Sequence, residues 1–182
     1  MRRRHKPSEG GWFFISGGTH RRSRVFKVRE HCGIFLENLH FYRKKYGYDV
    51  MGYALLPDHY HLLLALPPEV ALLPVLRDFK SAIGRQIVDS LKSRGEEAWL
   101  RRLQIARPPQ RWKDSRFKVL QADNDVVRIR SEKFFHQKLD YIHANPVRHG
   151  LVERAIDYPY SSLRWYSEEG SEERAQWQGP LG

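Results

Sequence analysis

Two histidines stand one residue apart inside an apolar run, LLPDHYHLLLAL, at residues 55–66. Imidazoles buried in such a run lose their hydration, which costs free energy unless something else binds them. Side chains two apart on a strand project from the same face. His59 and His61 can therefore meet one ligand, while Tyr60 and Leu62 face the other way. Two neutral imidazoles suit a divalent metal that finds further donors elsewhere. The other reading is a pair of hydrogen-bonded core histidines, and the spacing alone leaves both open. A second group of chemistry-bearing residues lies in KLDYIHANPVRHG, residues 138–150. At helical spacing Phe135, Leu139 and Ile142 form a core stripe, and Phe134, Lys138, Tyr141 and Asn145 form another about a quarter turn away. Tyr141 and Asn145, at i and i+4, can then address one point in space. His143 falls nearly opposite Tyr141 and reads as structural or surface.

The chemistry of such a set is specific. A tyrosine hydroxyl ionises at about pH 10 in water and is a poor nucleophile at neutral pH. A nearby cation favours the phenolate and also polarises a phosphodiester. Attack by Tyr141 on a DNA phosphate would give a covalent phosphotyrosine and a free 3′-hydroxyl, and rejoining would need no ATP. His59, His61 and an amide oxygen from Asn145 leave coordination positions open for phosphate oxygens and water. The set suits Mg²⁺ or Mn²⁺; imidazoles lean toward Mn²⁺, and Zn²⁺ is also admissible.

These side chains need a scaffold. GWFFISGGTH (11–20) reads as a strand running into a glycine turn. Val28, Cys32, Phe35, Leu39, Tyr42 and Tyr46 make one helical stripe, and Gly47 is placed to end it. YDVMGYALL (48–56) and HYHLLLAL (59–66) read as antiparallel strands joined by Pro57–Asp58. A helix is expected over 70–92, and a short one near 96–104 within a polar, basic connection. RFKVLQ and VVRIR, joined by Ala122–Asp123–Asn124–Asp125, suggest a fourth strand or hairpin. Ser131 can cap a helix from about Glu132 to Asn145, where Pro146 stops it. The order is β-α-β-β-α-β followed by another helix. That is an α+β, ferredoxin-like pattern: an antiparallel sheet with two helices on one face, and an additional C-terminal helix carrying Tyr141.

Bulk properties narrow the partners. The chain has 182 residues and 41% hydrophobic content, with no apolar run long enough to span a bilayer. Residues 1–10 read as a flexible basic arm, 11–166 as one domain and 167–182 as a loose tail rich in Glu and Gly. No apolar signal core follows the basic start. Cys32 is the only cysteine, which excludes an internal disulfide framework and a Cys-based zinc site and suits a reducing cytoplasm. Lys+Arg total 32 against 21 Asp+Glu, a net charge of +11, so a polyanionic partner is expected. Arg21, Arg22 and Arg24 follow the first strand, and Arg111, Lys113 and Arg116 lie in the basic connection; either set can track phosphates. Trp112 is a candidate for stacking on a base. Of Trp12, Phe13 and Phe14, at least two are expected in the core.

These motifs resemble a known family. PDHYHLLLAL is similar to the His-hydrophobic-His signature of HUH single-strand nucleases. DYIHANPVRHGLV followed by YPYSS resembles the nucleophile helix and trailer of single-tyrosine transposases, most closely the REP-associated tyrosine transposases. FFISGGTHRRSRVF resembles their first strand and basic turn. The likeness runs from about Gly11 to Tyr166, although the basic stretch 93–118 carries little of it, and Asp58 stands where relatives often have Asn. The resemblance implies metal ligation by His59 and His61 with a further amide ligand at Asn145, and attack by Tyr141. It implies a substrate of single-stranded DNA with imperfect palindromic hairpins, cut and rejoined at a defined step. It also implies a bacterial cytoplasmic protein at the nucleoid, a monomer rather than the helix-exchanging dimer of mobile-element relatives. Two rival expectations stand beside it. One is a non-cleaving hairpin or single-strand binding protein on the same fold. The other is a phosphohydrolase using water, against which HYH has no carboxylate cluster beyond Asp58.

Overall fold

The computed structural model describes residues 10–105 and 116–167. Its elements are β1 (Gly11–Thr19), α1 (Arg29–Tyr46), β2 (Asp49–Leu55), β3 (His59–Leu66), α2 (Leu72–Ser93), α3 (Glu97–Leu103), β4 (Leu120–Ile129) and α4 (Glu132–Arg148). The sheet runs β2-β3-β1-β4 with every neighbouring pair antiparallel. This is the expected ferredoxin-like order with a helix added at its C-terminal side. The expected arm and tail lie outside the described residues, apart from Gly10 and Ser167. Among the described residues no helix is long and apolar enough to cross a membrane.

Strand alternation divides the core between two faces. On one, Phe13, Ile15, Tyr60, Leu62 and Leu64 pack with Phe35, Leu39, Phe79 and Ile83 of α1 and α2. On the other, Phe14, Ala54, Leu56, Leu63 and Ile129 pack with Phe135, Leu139 and Ile142 of α4. Each Leu, Ile or Phe among them, fully buried, contributes roughly 1.5–3 kcal/mol. The apolar stripe predicted for α4 is thus the one that seats it. Ser131 caps α4 by accepting the Phe134 N–H at 3.3 Å. Gly47 ends α1 in the left-handed region, φ 68°, donating its N–H to Arg43 O.

Two local expectations are corrected and one left open is decided. Gly17 and Gly18 do not turn the chain; they continue β1 opposite Tyr60 and His59. Glycine is needed at 17 because the Tyr60 ring lies against it, and a Cβ there would sit 2.3 Å from the ring carbon Cζ. The turn falls instead at His20–Arg22, with Arg21 and Arg22 at φ 53° and 49°. Of the fourth strand or hairpin left open around Ala122–Asp125, the strand is what forms, with a bulge there within β4. Thr19 pairs Leu120, yet Gly17 pairs Asn124 where an even ladder would give Ala122. Lys80 of α2 fixes the bulge, its Nζ donating to Ala122 O at 2.5 Å and Asn124 Oδ1 at 3.0 Å. Finally, Pro146 does not stop α4, which continues to Arg148. Proline removes one N–H from a helix, but so near the end the following amides are still satisfied. His149 N–H reaches Asn145 O and Leu151 N–H reaches Pro146 O, both at 2.9 Å. Gly150, φ 63°, makes the exit.

The segment after α4 folds back over β2. Leu55 N–H donates to Tyr160 O at 2.9 Å, and Tyr158 Oη donates to Leu55 O at 2.8 Å. Tyr166 Oη bonds Met51 O. Ser162 Oγ accepts the Tyr53 N–H at 2.8 Å and bonds His143 Nε2 at 3.0 Å. His143 is 7% exposed. It is therefore an interior tie between α4 and the sheet, not a surface residue.

Candidate active site

His61 sits on β3 between Ser16 of β1 and Ala54 of β2. It is 4% exposed, and neither ring nitrogen has a hydrogen-bond partner. Its ring stacks on Phe14 at 5.6 Å between centroids, while the Tyr141 ring meets it edge-on at 5.2 Å. Burial, and after it the nearby His59, His149 and Lys138, pushes the His61 pKa down to about 3. The ring is neutral at physiological pH and keeps a lone pair to give. His59 opens the same strand, its ring centroid 5.2 Å from that of His61. Its Nδ1 donates to Asp58 Oδ1 at 2.6 Å; a carboxylate only accepts, so Nδ1 carries the proton and Nε2 is left as donor atom.

Tyr141 projects from the second stripe of α4, as the spacing predicts. Its ring touches Phe14 as well as His61, at 5.9 Å. Two cations flank it: Lys138 Nζ is 5.6 Å and the Arg148 guanidinium 5.4 Å from its centroid. Lys138 also lies over Phe14 at 4.7 Å. One turn beyond Tyr141, Asn145 is 3% exposed. Its Nδ2 donates to Tyr141 O at 2.6 Å, leaving the amide oxygen as its free acceptor. Tyr60 is fully buried against Phe35 on the opposite face, so it is no rival nucleophile.

The family model described as "Transposase IS200 like" matches residues 18–107, a span that contains the histidine pair and ends before α4. A Haemophilus influenzae protein, named only provisionally as a REP-associated tyrosine transposase, is 30% identical over 119 residues. Over residues 18–107 the chain is thus similar to IS200-like transposases. The Haemophilus match takes in 65% of this chain and 60% of the relative, so the chain spans about three fifths of that protein's length. The REP-associated tyrosine transposase of Escherichia coli K12 is 24% identical over 170 residues, 88% of this chain and 81% of the relative. A solved structure of a REP-associated tyrosine transposase bound to a REP hairpin superposes with TM-score 0.65 at 19% identity, covering 90% of this chain and 82% of the other. That likeness shows the shared fold.

Within this fold the remaining sequence candidates separate. Arg21, Arg22 and Arg24 are exposed, and Arg22 lies beside the site, its Nη1 3.6 Å from Asp58 Oδ2. Arg116 is exposed at the far end of the connection. Arg111, Trp112 and Lys113 lie outside the described residues. Phe13 and Phe14 are core, at 4% and 6% exposure, whereas Trp12 is 43% exposed. The sequence reading missed Lys138, Arg148 and His149 as site residues. His149, whose ring centroid is 4.9 Å from that of His59, is exposed at the exit of α4. It follows Pro146, where the helix was expected to have ended. Extending the helical period through that proline puts His149 at i+4 from Asn145, on the Tyr141 side.

The residues present fit a divalent cation. His61 offers nitrogens with no protein partner, His59 is oriented by a carboxylate, and Asn145 retains an acceptor oxygen. Two imidazoles and an amide oxygen form a donor set of intermediate hardness, within the range of Mn²⁺ and Mg²⁺. Among the described residues no three His, Cys, Asp or Glu side chains converge as a metal group. A third ligand would therefore be the Asn145 amide or the substrate itself.

Proposed function

We propose that this protein cuts and rejoins single-stranded DNA beside imperfect palindromic hairpins through a 5′-phosphotyrosine formed on Tyr141. The observation that carries the reading is the contact of Tyr141 with a buried, neutral, unpartnered His61. His59, His61 and Asn145 would hold Mg²⁺ or Mn²⁺, which when bound supplies charge that polarises the phosphodiester. Lys138 and Arg148 seat phosphate oxygens on either side of the phenol. The Tyr141 oxygen forms the bond to phosphorus, the bond to the 3′ oxygen breaks, and that oxygen leaves with the electron pair and takes up a proton. The 5′-phosphate stays on the protein, and attack by a 3′-hydroxyl reverses the sequence. Hairpin DNA is supported by the relative captured with a REP hairpin, and a polyanionic partner by the net charge of +11. Tyr141 and His61 meet within one chain, which supports a monomer.

The test incubates the protein with hairpin-flanked single strands from the source genome and Mn²⁺, then resolves products on a denaturing gel. A covalent protein–DNA band that is lost in Tyr141→Phe and in EDTA is the expected result. Strand cleavage that survives Tyr141→Phe assigns the attack to water and overturns the proposal. Binding without cleavage in any divalent metal leaves a binding protein on the same fold.

A further inference from the structure

A cavity of about 330 Å³ opens beside His59 and crosses β1 to β4. It is lined by Ser16, Gly18, Asp58, Gln121, Asp123 and Asp125 among others. Its existence depends on two features of the chain. Gly18 provides a floor without a side chain; a Cβ there would come within 3.0 Å of the Gln121 amide oxygen. The β4 bulge sets three residues, 121–123, opposite Gly18 alone, which brings Gln121 and Asp123 over that floor. Bulges beside active sites commonly re-aim side chains in this way.

The charge of the cavity runs against that of the protein. Its three carboxylates, Asp58, Asp123 and Asp125, outnumber the cations near them: Arg22, which already lies 3.6 Å from Asp58, and Lys80, whose ammonium is taken up by Ala122 O and Asn124 Oδ1 behind the bulge. In a chain of net charge +11 this is a poor seat for a phosphate, which would meet like charges. It is a poor seat for a cation too, since among the described residues these carboxylates line the cavity without drawing close enough together to hold one ion. An uncharged group rich in N–H donors is what remains. Carboxylates accept only, and Asp accepts readily from the exocyclic amine of a base. In a single strand the Watson–Crick edges are free to be read. At the small end of the ~300–1,000 Å³ range of ligand clefts, the cavity has room for one nucleoside and not for a duplex.

We infer that this cleft reads one base of the strand next to the phosphate that is cut, accepting a base with an exocyclic amine and rejecting thymine. Thymine presents one N–H between two carbonyl oxygens, and those oxygens would face the carboxylates. The inference rests on the proposed reading of the neighbouring site, because that reading places the strand at His59.

The experiment measures fluorescence anisotropy of the full chain with labelled dC₁₅, dA₁₅ and dT₁₅ in EDTA, where cleavage plays no part. Wild type is expected to bind dC₁₅ and dA₁₅ about fivefold or more tighter than dT₁₅. In Asp123→Asn/Asp125→Asn the amides can donate to thymine carbonyls, so the preference should shrink toward unity, even as the lost negative charge tightens all three. Both side chains are exposed, and circular dichroism verifies that the variant is folded. Equal affinities in wild type, or a preference unchanged in the variant, overturns the inference. The adduct gel reads the other question separately. An adduct with no base preference sinks only the cleft, and a preference with no adduct sinks only the transesterase.

Discussion

Replacing His61 by leucine should stabilise the metal-free protein while abolishing adduct formation. His61 is 4% exposed and leaves both ring nitrogens without a partner. A buried polar group so placed costs about 1–3 kcal/mol. Leucine removes that cost at similar volume. It also gives up the stack on Phe14, and such ring pairs contribute about 0.5–1.5 kcal/mol. The difference favours leucine by about 1 kcal/mol, a rise in Tm of roughly 2–4 °C for a chain of this size. The assay is a pair of thermal melts at neutral pH, in EDTA and in increasing Mn²⁺. In EDTA the leucine variant should melt higher. With Mn²⁺ at about 100 times its Kd, wild type should gain about 2.7 kcal/mol and overtake a variant that does not move. If the leucine variant instead melts several degrees lower in EDTA, and Mn²⁺ shifts both proteins alike, His61 is an ordinary packed core residue and the metal reading goes with it.

Acid should destabilise the protein through two imidazoles. His61 and His143 are held neutral in the fold by burial, down to about 3 and about 4, from the ordinary value of 6.5. The unfolded chain binds more protons below 6.5, so this stability is present above that pH and falls away as pH drops. Each group should cost about 2 kcal/mol by pH 5. Urea midpoints across this range should show the slope, reduced in His61→Leu; a flat profile in wild type contradicts the buried neutral state. Ser162→Ala strips a partner from the buried Tyr53 N–H and from His143, and should cost about 2–4 kcal/mol in denaturant melts; a loss under 0.5 kcal/mol would mean that the tie carries little. Gly17→Ala drives a Cβ onto Tyr60, so it should lower stability by at least the ~1–3 kcal/mol of an overpacked core; an unchanged melt would show that the ring yields freely. DNA affinity should fall steeply with salt, and a flat response in fluorescence titrations removes the electrostatic part of the proposal.

Much of the architecture was legible because the sequence repeats one signal at several levels. The α1 stripe, the glycine after Tyr46, the serine before Glu132 and the alternation through HYHLLLAL each specify an element locally, and tertiary packing agrees with them. What escaped the reading was set by contacts between distant residues. Gly17 looks like a turn residue until Tyr60, far along the chain, is seen to lie against it. Ala122–Asp125 has turn composition, yet Lys80 from α2 holds it in a strand. Pro146 carries a strong local stop signal, but its position in the last turn makes the lost hydrogen bond inexpensive, and its burial among core residues favours keeping it helical. That error hid His149. Lys138 was placed on the correct stripe but left without a role, because periodicity assigns a face and not a neighbour.

Under the proposed function α4 would perform two tasks, which links its packing to the chemistry. Phe135, Leu139 and Ile142 bury α4 in the sheet's second face, while Lys138 and Tyr141, a quarter turn round, border His61. A rotation that moved the phenol away from the histidine would also lift the core stripe off the sheet, at roughly 1.5–3 kcal/mol for each large side chain exposed. The phenol is thus aimed by the hydrophobic effect rather than by a hydrogen bond of its own. The His143–Ser162–Tyr53 tie adds direction that apolar contact lacks, since it fixes α4 along the sheet as well as against it. The unpartnered His61 imidazole is one local conflict that the fold tolerates, and under the proposed function a stable mounting for Tyr141 would make that conflict useful.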